Sequence, residues 1–283
     1  MNGGTAPLRA GGQALADGVL MRTERAWAIA RADGSIEVGS VPTNRWAKLP
    51  IVRVLTGLAG ALKLGIVRGM LRRGAGGSDR VRRSRRLNGR FLIAMALAEG
   101  LVIALARLVE HAGAPAWTDT LVNLLPWIVV LAVLRLATPA VLWRYHGAEH
   151  KAVAAHEQCI DLSDTAAVLA CPRVHNRCGT NLVFVMALAS LALLSVPGAF
   201  QVPMFALSAG ASVELVSLAS SRPRRFASRA VLAGGRFLQR TITTAEPTFA
   251  EQAVGCAALQ AALAEHARMV EVEAAPAGEL VAA

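Results

Sequence analysis

The stretch "LVNLLPWIVVLAVLRLATPAVLWRYHGAEHK", residues 121–151, runs from an apolar tract into a cluster of histidine and glutamate. The fold turns on whether residues 121–143 are one membrane span or pieces of packed helix. Their length is close to the roughly 20 apolar residues that cross a bilayer. Three further tracts, 91–110, 182–197 and 200–220, come near the same length, although the third is short and the fourth carries Glu214. A buried core helix would look the same singly, so the argument rests on four such tracts together. They lead to the expectation of a mainly α membrane protein. It would have about four transmembrane helices and a small β-containing N-terminal cytosolic segment. Composition agrees: 54% of residues are hydrophobic, 17% are charged, and mean hydropathy is +0.44.

The formal net charge of +11 sits beside these tracts. Arg68, Arg72, Arg73, Arg80, Arg82, Arg83, Arg85, Arg86 and Arg90 precede the first, and Arg222, Arg224, Arg225, Arg229, Arg236 and Arg240 follow the fourth. An even number of spans with both ends on the basic side gives this pattern. The expected localisation is therefore the cell membrane, multi-pass, with cytosolic N- and C-termini. Membrane lipids would be the partners of the arginines. Nucleic acid is not expected, because the basic runs lack interleaved aromatics and known nucleic-acid-binding patterns. No apolar signal segment opens the chain. Cysteines on a cytosolic face would be reduced, which favours metal binding or packing over disulfides.

The organisation expected along the chain is as follows. Residues 1–45 form an N-terminal β-rich cytosolic segment, in which Asp33-Gly34 marks a hairpin with a type I′ turn. Residues 46–90 hold an amphipathic helix, with Ile51, Leu55, Leu58, Leu62 and Ile66 on one stripe, and an Arg-rich linker. Residues 91–220 are the four-span region with a cytosolic loop at 144–181, and Trp143 stands at a membrane edge. A C-terminal cytosolic segment, 221–272, contains a helix from about 248, and 273–283 is a disordered tail.

Four of six histidines (His146, His150, His156, His175) and three of four cysteines (Cys159, Cys171, Cys178) fall within 144–181. If helix continues through "YHGAEHK", a 100° step sets His146, His150 and Glu157 on one stripe, with Glu149 at its flank. Two imidazoles one turn apart with a glutamate before the second make the H-x-x-E-H pattern of inverted zinc proteases. There the histidines bind metal, while the glutamate takes a proton from the attacking water, whose pKa the cation lowers towards 7. A further ligand would come from Glu157, His175, Cys178 or Glu214. A hydrogen-bonded polar network at a helix end is the bland alternative. In "CPRVHNRCGTN", residues 171–181, His175 and Cys178 are i, i+3 neighbours, a donor pair that suits zinc. Cys171 and Cys178 could equally pack as small apolar residues. Lys151 would face headgroups or an acidic ligand. Glu214 could complete the site or pair with Arg135, and Glu99 and Arg107 could pair with each other. No G-x-S-x-G, Walker loop or dinucleotide-binding glycine pattern is present.

The segments "GGQALADGVLMR", "YHGAEHKAVAAHE", "HNRCGTN" and "FLQRTITTAEP" resemble, in order, the motifs of the domain of unknown function 1385 family, the YqhQ-like bacterial membrane proteins. The resemblance runs from about Gly11 to Ala262. It implies a membrane protein of a kind described, on sequence grounds, as metal-dependent enzymes. Matching positions are Gly12, Gln13, Gly18, Met21 and Arg22; His146, Glu149, His150 and Lys151; His175, Arg177, Cys178, Gly179 and Thr180; Glu214; and Gln239, Thr243, Thr244, Glu246 and Pro247. The chain departs at Asp17, where the family has Glu, at Asn176, where it has Pro, and at Val213, where it has an aromatic. The resemblance implies that the N- and C-terminal motifs gather over the 144–181 loop. Gln13, Arg22, Gln239 and Glu246 would then stand behind the ligands or face substrate.

The leading expectation is metal-assisted hydrolysis at the cytosolic membrane surface, with a lipid-linked or membrane-embedded substrate. Glu149 would be the catalytic base and His146 and His150 the ligands of a divalent metal, zinc first. A non-catalytic accessory or regulatory membrane protein with a structural metal or polar cluster is the competing expectation. Transport is a weaker third, since no repeats or paired broken helices are visible. Oligomeric state is not legible.

Overall fold

In the computed structural model the described residues are 7–41, 117–192 and 198–274, with scattered positions between 93 and 115. The elements in chain order are β1 (Gly11–Leu15), β2 (Gly18–Arg22), β3 (Ala26–Arg31) and β4 (Ile36–Ser40), then α1 (Trp117–Ala137), α2 (Ala140–Glu157) and α3 (Thr165–Leu169). They continue with α4 (Gly179–Ala192), α5 (Gly198–Ser221), α6 (Phe226–Leu238), a π-helical turn (Gln239–Thr243) and α7 (Phe249–Ala274). They fall into two compact units.

The first unit joins the N-terminal sheet, Ala140–His175, and the chain from Thr244 onward. Its sheet is an antiparallel meander in the order β1-β2-β3-β4. Val19 and Met21 of β2 stand in register with Ala30 and Ala28 of β3, and period two puts all four on one face. That face joins a core with Ala152, Ala155, Cys171, Cys256, Ala258, Leu259 and Ala262. The many alanines let α2 and α7 approach closely, while Met21 and Leu259, both fully buried, each contribute about 1.5–3 kcal/mol of burial. The β3–β4 turn differs from the type I′ expected. Only Gly34 has positive φ (83°), Gly34 N–H donates to the Arg31 carbonyl (3.0 Å) and Arg31 N–H to that of Ser35 (3.0 Å). This is the three-residue loop with a left-handed glycine and bulge. Asp33 stabilises it by accepting from the Ser35 amide (3.0 Å) and hydroxyl (2.7 Å).

Helix α7 starts within a residue of the expected position, and Thr248 explains why. Its Oγ1 accepts from Glu251 N–H (3.3 Å), and Glu251 Oε2 accepts from Thr248 N–H (2.9 Å). That is a reciprocal capping box. Helix α2 ends with Cys159 in the left-handed region (φ 57°) and Ile160 N–H on the Ala155 carbonyl (2.9 Å), the Schellman arrangement. Cys159 is thus an exposed helix-end residue.

The second unit includes α1, α4, α5, α6 and the π-helical turn. Helices α4, α5 and α6 pack pairwise, and α1 packs on α4. Asn181 of α4 is fully buried; its Nδ2 donates to the Asn176 carbonyl (2.7 Å) and its Oδ1 accepts from Gln239 Nε2 (3.4 Å).

The four-span membrane architecture is not what forms. Among the described residues, no helix is long and apolar enough to cross a membrane. The second expected span breaks at Thr138–Pro139, between α1 and α2, because the residue before proline is pushed out of helix; Pro126 lies inside α1. The third is described only as far as Ala192, as part of a helix of 14 residues. The fourth carries Glu214 and serines along its length. The multi-pass cell-membrane localisation with cytosolic termini therefore loses its basis, and Trp143 is buried rather than at a membrane edge. The amphipathic helix of 46–70, the Arg-rich linker, most of 91–110 with the Glu99–Arg107 pair, and the tail beyond 274 lie outside the described residues.

Candidate metal centre

Helix α2 runs unbroken through "YHGAEHK", so its histidines are one turn apart on one face. The rings of His146 and His150 meet edge to face with centroids 4.5 Å apart, and His175 lies 6.0 Å from His150. One ligand atom each from His146 and His150 lie within 4.8 Å of each other. His150 Nδ1 donates to the Arg173 carbonyl at 2.6 Å. A carbonyl can only accept, so Nδ1 carries the proton and Nε2 is left as the ligand atom. Cys178 immediately precedes α4, and its Sγ accepts from Thr180 N–H (3.5 Å).

Glu149 is buried against this cluster. Burial raises its carboxyl pKa, opposed by the neighbouring His146 and His175 and by a hydrogen bond from the Gly12 amide. Glu157 accepts from His175 Nε2 at 3.1 Å, so Glu157 orients an imidazole.

Gly147 explains how α2 reaches the C-terminal motif. A Cβ there would strike the Ala245 carbonyl, and Ala245 N–H donates to the Trp143 carbonyl (2.9 Å). Lys151, almost fully buried, donates to the carbonyls of Leu169 (2.6 Å) and Cys171 (2.9 Å) and pairs with Glu246 (3.0 Å). Glu246 also pairs with Arg173 (3.5 Å), whose Nη1 reaches the Thr244 carbonyl (3.2 Å). Lys151 and Glu246 thus clamp the segment that presents the Arg173 carbonyl to His150.

The other sequence candidates fall elsewhere. Glu214 is half-buried on α5. Gln239 is fully buried. Gln13 and Arg22 are half-buried on β1 and β2, and Gln13 is in register with Leu20. Asp17 grips Arg31 with both oxygens at 2.9 Å. Asn176, where the resemblance expects proline, accepts from Arg236 Nε (3.0 Å) through its side chain and from Ser220 (2.8 Å) through its carbonyl. Sequence reasoning missed the Gly12 amide and the Arg173 carbonyl. Both are backbone groups, which residue identity does not mark.

No curated protein and no solved structure matches the chain. The family model described as "Protein of unknown function (DUF1385)" matches residues 49–265, well over half of the 283 residues. The chain belongs to the DUF1385 family.

Proposed function

We propose that the protein is a metal-dependent hydrolase. The observation that carries the reading is the buried Glu149 beside two imidazoles one helical turn apart. Two imidazoles suit zinc better than hard cations such as magnesium or calcium. His146 and His150, the latter through Nε2, would hold the metal. A bound zinc supplies Lewis acidity and lowers the pKa of a water at its open position. Glu149 would accept the proton of the attacking water, and burial, by raising its pKa, makes its carboxylate a stronger base. His175, oriented by Glu157, would stand next to the reacting groups.

A closed structural zinc site is the second reading. It is favoured by the nearness of His175 to His150, since a fourth protein ligand would close the coordination shell.

The test is metal content and hydrolysis by the full-length chain against a panel of ester, amide and phosphoester substrates. Wild type should carry one zinc, and His146→Ala with His150→Ala should lose it. Glu149→Gln should keep the metal and the melting temperature yet lose at least 100-fold in kcat. Retention of activity in Glu149→Gln, or of metal in the double histidine variant, rejects the hydrolase. Full metal with no activity in wild type selects the structural site.

A further inference from the structure

We infer that the outward face of α6 is a docking surface for an anionic phospholipid bilayer, on which the helix lies in the plane of the interface. This inference is independent of the metal reading. It concerns contact with a lipid surface, which needs no membrane-crossing helix.

The two faces of α6 have opposite duties. Ser228, Leu232 and Gly235, at i, i+4 and i+7, are buried, and Gly235 backs onto Asn181 of α4. Phe226, Ala230, Ala233 and Phe237, at i, i+4, i+7 and i+11, project the other way. Phe226 is 86% exposed and Phe237 62%, and Ala230 and Ala233 between them are also exposed. This makes an apolar ridge about 17 Å long at 1.5 Å per residue. It carries a large side chain at each end and no polar group of its own.

Charge stands along one side of the ridge. Arg229, Arg236 and Arg240 line a groove of about 400 Å³ together with Phe226, Ala230 and Ala233. Arg222, Arg224 and Arg225 are exposed just before the helix. Arg236 is held by Asn176 Oδ1 at 3.0 Å, which fixes one wall. Phosphate is the anion a guanidinium fork fits best. An apolar ridge beside a row of arginines is the pattern of helices that rest at the headgroup boundary, phenyl rings sunk into the acyl region. A nucleic acid would satisfy the arginines but would leave the alanine stretch of the ridge without a partner, so complementarity of both charge and polarity favours the lipid surface.

The experiment is co-sedimentation of the purified full-length chain with vesicles of phosphatidylcholine alone or mixed with phosphatidylglycerol. Wild type should bind the anionic vesicles, more weakly as salt is raised, and bind the neutral ones little. Arg229→Gln with Arg240→Gln should lower partitioning about 30-fold, from about 1 kcal/mol for each charge near the surface. Phe226→Ser with Phe237→Ser should lower it at least tenfold. Arg229→Lys with Arg240→Lys should retain binding and acts as the control if the glutamine pair melts early. Several outcomes overturn the proposal: no binding, equal binding to neutral vesicles, or equal binding by the serine pair. So does full retention of anionic-vesicle binding by the glutamine pair.

Discussion

At the scale of single residues, Glu251 carries three duties at once. It receives the Thr248 amide on its carboxylate, gives its own N–H to Thr248 Oγ1, and takes Arg144 Nε on both oxygens at 2.8 and 2.9 Å. Burial alone would raise its pKa, but the Thr248 amide and Arg144 outweigh that and leave it below the usual carboxylate range. A carboxylate whose folded pKa is depressed contributes stability that is present above its unfolded value, about 4.3. That contribution is lost as pH falls through the folded value. Wild type should therefore lose melting temperature on acidification below about pH 4.3. Glu251→Gln should start lower at neutral pH and lose less over the same interval. Thermal melts from pH 7 downward check this, and parallel curves for the two proteins would reject the assignment.

Helix α2 shows what element-scale reasoning can and cannot reach. The 100° periodicity that groups His146 and His150 is a property of sequence spacing alone, and the helix does carry them that way. The sheet was legible from its glycines and alternation, but the turn type was not. Asp33-Gly34 fits two loop geometries, and only strand register distinguishes them. Apolar content does not separate a crossing helix from packed ones, and a span expected over 121–143 overlooks the break that Pro139 imposes at Thr138. Its place after the apolar tract predicts that Lys151 faces headgroups or an acidic ligand, whereas its buried ammonium ties α2 to the carbonyls of Leu169 and Cys171 and to Glu246. Lys151→Met leaves the carbonyls of Leu169 and Cys171 without this donor, at about 1–3 kcal/mol each. It should lower stability by roughly 2–4 kcal/mol in urea titrations and should weaken zinc affinity about tenfold or more by loosening the Arg173 carbonyl behind His150. Unchanged zinc affinity would mean that the clamp serves the fold alone.

At the scale of the whole molecule, the first unit is assembled from three separated stretches of chain. Its sheet cannot bury its inner face without α7, since Val19, Met21, Ala28 and Ala30 share a core with Leu259 and Ala262. His266 Nδ1 meets Thr23 Oγ1 (2.9 Å), and Arg25 pairs with Glu273, tying the far end of α7 to the β2–β3 turn. A small sheet stripped of its helix is only marginally stable in water. A chain ending at Thr243 should therefore lose protection from amide exchange throughout β2 and β3 and should lose zinc binding, because α2 packs on the same core. The second unit keeps its own helix contacts in that truncation, so α4, α5 and α6 should retain most of their protection. Supplying residues 244–274 as a separate peptide should restore exchange protection to β2 and β3, since the Thr248 cap and the alanine face travel with it. Uniform loss of protection across both units would show that they fold as one cooperative body.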